Sequence, residues 1–304
     1  MSVKTRVPLI GISDSLQNSN HQKTQYQVAQ DSGFNTVVYD SGELTVDLNE
    51  HQVPQNNLNK GNTYYARSRV RHSNGLWSPW SSGFQFNIVQ PGDILNSFSS
   101  PGSGLSGVIV DSNGNLISSD IGTNPGTIYV HDGISSTTTN SFSSPGGFPL
   151  GLTIDSNNNL ISSDNGTDKI YVHQGISSTI TISFDGPGGN TTGITVDSSG
   201  NLISGDYNLD TIYVHQGISS TITSSFNSPS SNPRGLAIDS NGNLISVDNN
   251  TDKIYVHQGI SSTVTSSFDG PGNGLRGITI DPNGDLIVVD YDNNNNPKFF
   301  IVSL

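Results

Sequence analysis

Cysteine is absent from the 304 residues, which excludes a disulfide framework and any thiolate metal site. Charged residues make up only 12% of the chain and hydrophobic ones 31%, with Ser, Asn, Gly and Thr supplying the difference. Such a composition suits short strands joined by tight turns and disfavours long helices, and no window keeps a helical period. Long apolar runs are also lacking. The N-terminal MSVKTRVPLIGIS has no stretch that would serve as a signal-peptide core, and no segment is expected to span a bilayer.

Basic residues become scarce along the chain. Residues 1–90 hold 7 Lys/Arg and 6 Asp/Glu, whereas residues 91–304 hold 5 and 19, a balance of about -14. A field of that sign repels phosphate backbones and anionic lipid, so neither nucleic acid nor a membrane surface is an expected partner. It also keeps a turn-rich surface soluble.

What the sequence does have is a repeat. A glycine recurs at Gly107, Gly151, Gly193, Gly235 and Gly277, in steps of 44, 42, 42 and 42 residues, and each opens a near-copy of one segment. The third copy reads GITVDSSGNLISGDYNLDTIYVHQGISSTITSSF. Four short strand-like runs per unit at this period predict a β-propeller blade. In the fourth copy the strands are predicted over Gly235–Asp239, Asn243–Asp248, Lys253–His257 and Thr263–Phe268. The turn between the first two ends on a residue that needs a left-handed backbone, and the copies place Gly114, Asn158, Gly200, Gly242 and Gly284 there, the residue types that reach it cheaply. The last copy stops in its third strand, over Phe299–Leu304, while Asp93–Phe98 matches the missing fourth. The expectation is a five-bladed propeller over residues 91–304, closed by the strand at 93–98, with an open arc or a ring completed between subunits as alternatives. The stretch PRGLAIDSNGNLISVDNNTDKIYVH, Pro233 to His257, resembles an NHL repeat. The resemblance implies a scaffold for binding surfaces; some relatives with similar blades are metal-dependent lactonases or lyases.

Residues 1–90 lack the repeat and read as alternating strands over Gln25–Ala29, Thr36–Tyr39, Thr63–His72 and Gly83–Ile88, a β-sandwich pattern whose first strand comes from Arg6–Ile12 or from a neighbouring subunit. Leu58, Gly61 and Tyr64 have the spacing of a tyrosine corner, and Trp77-Ser78-Pro79-Trp80-Ser81 follows. On these residues the segment resembles a fibronectin type III module. That likeness implies a cation–π ladder in which Arg67, Arg69 and Arg71 interleave with Trp77 and Trp80, a structural role. The longer stretch from Tyr26 to Phe86 is similar to modules of bacteriophage tail and other virion proteins, which decorate particles or link tail parts.

Comparison of the copies locates the candidate site. The turn after the first strand and HQGISST after the third barely change, whereas the loops before the first strand and after the second vary. In a four-stranded meander the variable loops share one face, taken as a recognition surface on a rigid scaffold. Candidate ligand-binding residues there are Asp120, Asp164, Asp206, Asp248 and Asp290, which end the second strands, with Phe148, Tyr207, Tyr291, Arg234 and Arg276. The aromatics would stack on sugars. Further acids, Asp168, Asp210, Asp252 and Asp292, stand nearby, and calcium is a possible cofactor at Asp164 with Asp168 and at Asp248 with Asp252; the competing role for these carboxylates is to accept hydrogen bonds from their own loops. His131, His173, His215 and His257 end the third strands and are expected to pack between blades.

A catalytic site in a propeller draws different residues from different blades, and these copies look alike. Glutamate is absent after Glu50, so the Glu-containing metal centre of lactonase-like propellers cannot form, and no nucleophile elbow, P-loop or zinc motif appears. The reading is a non-enzymatic phage virion component, a tail or capsid decoration protein. Residues 1–90 would contact other virion proteins and the propeller host-surface glycans, with the chain expected to form a homo-oligomer. The alternatives are a spacer protein without a ligand and a bacterial surface adhesin or carbohydrate-binding protein.

Overall fold

A computed structural model describes residues 9–11, 21–45, 50–53, 58–59, 61–291 and 297–304, all in strands, turns and irregular segments. Asp292 lies outside them, as do parts of the Arg6–Ile12 segment. The chain packs as two units, Met1–Pro91 and Gly92–Leu304.

In the first unit β1 (Leu9–Gly11) pairs antiparallel with β4 (Glu50–Gln52). A second, four-stranded sheet has the order β3 (Val37–Asp40), β2 (His21–Ala29), β5 (Thr63–His72), β6 (Phe84–Asn87). The period of two along β5 sorts its side chains: Tyr64, Ala66, Ser68 and Val70 are buried, while Tyr65, Arg67, Arg69 and Arg71 lie on the half-buried face. Tyr26, Val28, Val53, Leu58, Tyr64, Ala66 and Ile88 make the core. The Tyr64 hydroxyl accepts the Asn59 amide at 2.7 Å, tying down the turn before β5. On the other face the Arg67 guanidinium lies over Phe34 at 4.0 Å and Trp80 at 4.5 Å, and Arg69 over Trp77 at 4.6 Å and Trp80 at 4.5 Å. The register opposes Gln27 to Arg67 and Gln25 to Arg69, so each glutamine carbonyl accepts two guanidinium hydrogen bonds. The ladder departs from expectation twice. Phe34, outside the tryptophan motif, joins it. Arg71 packs on neither tryptophan ring; it donates to the Gly75 carbonyl at 3.0 Å and lies 3.6 Å from Glu43, because at this end of the strand a carboxylate is the nearer partner.

The second unit contains five four-stranded antiparallel sheets. Four are simple meanders; the first runs Leu105–Val110, Leu116–Asp120, Thr127–His131, Thr138–Ser143. In the fifth, the strands Leu275–Ile280, Leu286–Asp290 and Lys298–Val302 are joined by β7 (Ile94–Ser99), which pairs with Lys298–Val302. The first strands of the five sheets lie innermost and their opening glycines explain why. A Cβ on Gly107 would meet the Leu150 carbonyl at 2.7 Å, and one on Gly151 or Gly193 would collide with the carbonyl of Thr192 or Arg234. A Cβ on Gly235 would meet the Arg276 carbonyl at 2.6 Å, and one on Gly277 would collide with the carbonyl of Ser106, in the first sheet. Only a residue without a side chain lets neighbouring backbones approach so closely. The turn after each first strand has φ of 82°, 62°, 82°, 80° and 83° at Gly114, Asn158, Gly200, Gly242 and Gly284, the left-handed backbone that the sequence requires.

Outward from the innermost strand each sheet changes character. The second strands are buried along their whole length, and the fourth are mostly exposed, each with one half-buried phenylalanine. Apolar clusters such as Ile161, Ile170, Val172, Ile194 and Leu202 pack one sheet on the next. Each fully buried aliphatic side chain contributes roughly 1.5–3 kcal/mol.

Candidate functional site

The two variable loops of each copy are joined by their own backbone. Ile121 donates to the Gly104 carbonyl at 2.9 Å, Asn165 to Phe148 at 3.0 Å, and Tyr291 to Gly274 at 2.9 Å. The aspartates that end the second strands lie beneath these loops. Asp164 is fully buried: one carboxylate oxygen accepts the Phe148 amide at 2.8 Å, the other the Thr167 amide at 2.9 Å. Asp120 holds the Gly104 and Gly122 amides in the same way, and Asp206 those of Asn190, Asn208 and Leu209. Asp248 accepts from Asn250 and Thr251. Asp120, Asp164 and Asp206 therefore fasten both loops to the strand end and Asp248 fastens the loop that follows it, and with Asp290 they are at most 6% exposed. A ligand arriving from solvent meets the loops before it meets the acids.

Asp168, Asp210 and Asp252 sit on the turn that follows, each with φ near the left-handed region (53°, 50° and 53°). Asp210 accepts the Asn232 amide at 2.9 Å. Burial, and then the charge of Asp248, push the Asp252 carboxyl above its ordinary range. Both oxygens of Asp164 are engaged, whereas Oδ1 of Asp168, Oδ2 of Asp248 and Oδ1 of Asp252 are buried oxygens without a partner among the described residues. Calcium takes six to eight oxygens, and among the described residues no three His, Cys, Asp or Glu side chains converge.

Of the aromatics, Phe148 is 50% exposed on this face and Leu209, which sequence reasoning passed over, is 53% exposed. Tyr207 and Tyr291 are half-buried because each carries a cation: the Arg234 guanidinium lies 4.4 Å from the Tyr207 ring centre and that of Arg276 lies 4.0 Å from Tyr291. Burial lowers the pKa of both arginines; the Arg234 charge lowers Arg276 further, while Asp248 and Asp120 act in the opposite sense on Arg234 and Arg276. Arg234 also lines a small cavity between the innermost strands, bounded by glycines of all five sheets and large enough for about one water.

One pattern was not foreseen. Every buried side-chain nitrogen or oxygen that lacks a hydrogen-bond partner among the described residues lies on this face; Asn165 Nδ2, Asp168 Oδ1, Asn232 Oδ1, Arg234 Nε, Asp252 Oδ1 and Arg276 Nη1 are examples. Buried polar groups are ordinarily satisfied, so such a concentration asks for a reason. On the opposite face the equivalent groups are paired. Asp155, for instance, holds the amides of Asn157 and Asn159, and Asn159 in turn accepts from Gly175.

The histidines do not converge. In each of four sheets Nδ1–H donates to a serine carbonyl (Ser135, Ser177, Ser219 or Ser261) and Nε2 accepts from a serine hydroxyl one strand away (Ser118, Ser162, Ser204 or Ser246) at 2.7–2.9 Å. Since a carbonyl only accepts, the Nδ1–H tautomer follows. The phenylalanine of a neighbouring sheet packs on the ring, as Phe142 does on His173 at 6.1 Å.

No protein-family model and no curated protein matches this sequence. Solved structures do. Glutaminyl cyclase of Myxococcus xanthus superposes with a TM-score of 0.58 at 15% identity over 69% of this chain and 94% of its own. Catalytically inactive virginiamycin B lyase of Staphylococcus aureus, solved with quinupristin, gives 0.44 at 14% identity over 97% and 98% of the two chains. A streptogramin B lyase gives 0.44 at 14% over 97% of each. The likeness to glutaminyl cyclase corrects the expectation of a non-enzymatic protein, because an enzyme has this fold. The argument that the copies are too alike also fails at the innermost position, occupied in turn by Ser106, Leu150, Thr192, Arg234 and Arg276. Gly92–Leu304 has a multi-blade β-propeller-like fold, built of four-stranded antiparallel sheets.

Proposed function

We propose that this chain is a surface-recognition protein, carried on a virion, and that Gly92–Leu304 is a closed five-bladed propeller presenting its variable-loop face to host-surface glycans. The confinement of unpartnered buried polar atoms to that face carries the reading. Groups left unsatisfied by the fold are those a polar ligand satisfies, and half-exposed Phe148 and Leu209 beside them offer the apolar contact that a sugar ring stacks on. Closure is supported by the pairing of Ile94–Ser99 with Lys298–Val302 and by the contact of Gly277 with Ser106. The NHL-like reading of the blades rests on the Pro233–His257 motif. The virion context rests on the fibronectin-like reading of the first unit, to which the Tyr64–Asn59 hydrogen bond and the arginine–tryptophan stack are congenial. Any calcium on this face would be held at Asp248 with Asp252 or at Asp168 beside Asp164, where buried oxygens lack a partner among the described residues.

The test is a glycan array probed with the labelled full chain. Saturable binding that weakens severalfold in Phe148→Ala is expected; a folded, monodisperse chain that binds no glycan overturns the reading. Immunogold labelling of particles from the source culture checks the virion context, which label confined to cells or medium would remove.

A further inference from the structure

Residues 91–304 contain five cations against nineteen acids, and their placement is uneven. Lys169 pairs with Asp185 at 2.6 Å and Lys253 with Asp269 at 2.5 Å, both at exposed positions. The two arginines instead occupy one repeat position on neighbouring sheets, the residue just before the close-approach glycine. The strand of Arg234 touches that of Arg276 there, since Gly235 abuts the Arg276 carbonyl. Each guanidinium lies over a tyrosine ring, at 4.4 Å for Arg234 and 4.0 Å for Arg276. Nε of Arg234 and Nη1 of Arg276 are buried without a hydrogen-bond partner among the described residues, and no described carboxylate forms an ion pair with either side chain.

Two partly dehydrated like charges on adjacent strands repel, Asp248 and Asp120 offset this only from beyond ion-pair distance, and an anion placed between the guanidiniums relieves it. We infer that Arg234 and Arg276 form a receptor for the carboxylate of an acidic sugar; this rests on the reading of the variable-loop face as a glycan-recognition surface. Planar guanidinium forks match a carboxylate by paired N–H donors, which a lysine ammonium does not offer. Tyr207 and Tyr291 border the same spot with rings that a pyranose packs against. The acidity of the whole unit argues for a ligand with a single negative charge, as a dianion meets twice the long-range repulsion. The other sheets carry Ser106, Leu150 and Thr192 at this position, so the receptor is built once per chain and not five times.

Calorimetric titration of the full chain with glucuronate, in phosphate-free buffer, tests the inference, with glucose as the neutral counterpart. The expected result is one site per chain, glucuronate at least about tenfold tighter than glucose, and a loss of about tenfold or more in Arg234→Met and in Arg276→Met, with Arg234→Lys between. A melt of the unmutated chain is the second measurement: glucuronate should raise Tm with concentration and glucose should not. Equal binding of the two sugars, several equivalent sites, or glucuronate binding undiminished in both folded methionine variants overturns the receptor. Should neutral glycans bind while glucuronate shows no preference, the receptor falls and the recognition face stands. If glucuronate binds one to one but the array is blank, the receptor stands and the wider reading falls.

Discussion

Four sheets of the second unit fill one interior slot with a serine and a histidine, and the fifth fills it with Val288 and Val302. In the four, the imidazole is buried with both nitrogens hydrogen-bonded; in the fifth, both valines are fully buried in one apolar cluster. The two solutions are equally complete, since neither leaves a polar atom unpartnered. Their difference is chemical: the polar pair can be broken by removing one partner or by adding a proton, and the apolar pair cannot. Burial pulls the pKa of His131, His173, His215 and His257 below the usual imidazole value, and the serine carbonyl opposes this only in part.

Acidification should break the comparison most strongly. A histidine whose folded pKa is depressed takes up its proton more readily when unfolded, so stability is complete above the unfolded value of about 6.5 and is lost as pH falls through it toward the folded pKa. Four sheets respond together and the fifth does not. Chemical denaturation from pH 8 to pH 5 should show the midpoint falling with pH over this window. Next in size is Val302→His, which buries an imidazole facing Val288 with no hydroxyl to satisfy it; a loss of about 2–4 kcal/mol by urea titration is expected. His215→Val should cost about 1–3 kcal/mol, because the Ser204 hydroxyl and the Ser219 carbonyl lose their partner. The smallest effect belongs to Ser204→Val combined with His215→Val, which transplants the fifth sheet's solution. It should restore most of the single-variant loss, to within about 1 kcal/mol, and cut the pH dependence by about a quarter.

The same alternation of rules and exceptions governs how much was legible beforehand. Strand positions followed from the repeat to within one or two residues, as in Lys253–His257, because period and turn residues are local properties. The left-handed turn at Asn158 was readable for the same reason. The serine–histidine pairs were also there to be found, as the joint change to Val288 and Val302 in the last copy is their signature. Phe34 on Arg67 was not, since the contact joins a turn residue at positive φ to a strand more than thirty residues away. The aspartates were legible as a repeated set, yet whether a carboxylate faces solvent or lies under loops that it holds depends on loop paths that composition does not specify.

By itself the sequence determined the repeat, its four strands, the turn backbones and the division between a constant and a variable face, because these depend on residues near one another along the chain. Tertiary structure alone decided that Gly277 meets Ser106, that the acids lie beneath the loops, and that two arginines 42 residues apart become neighbours with unpartnered nitrogens. Those outcomes depend on how closely separate sheets approach, and a side chain's partners across that gap are set by packing, not by its place in the repeat.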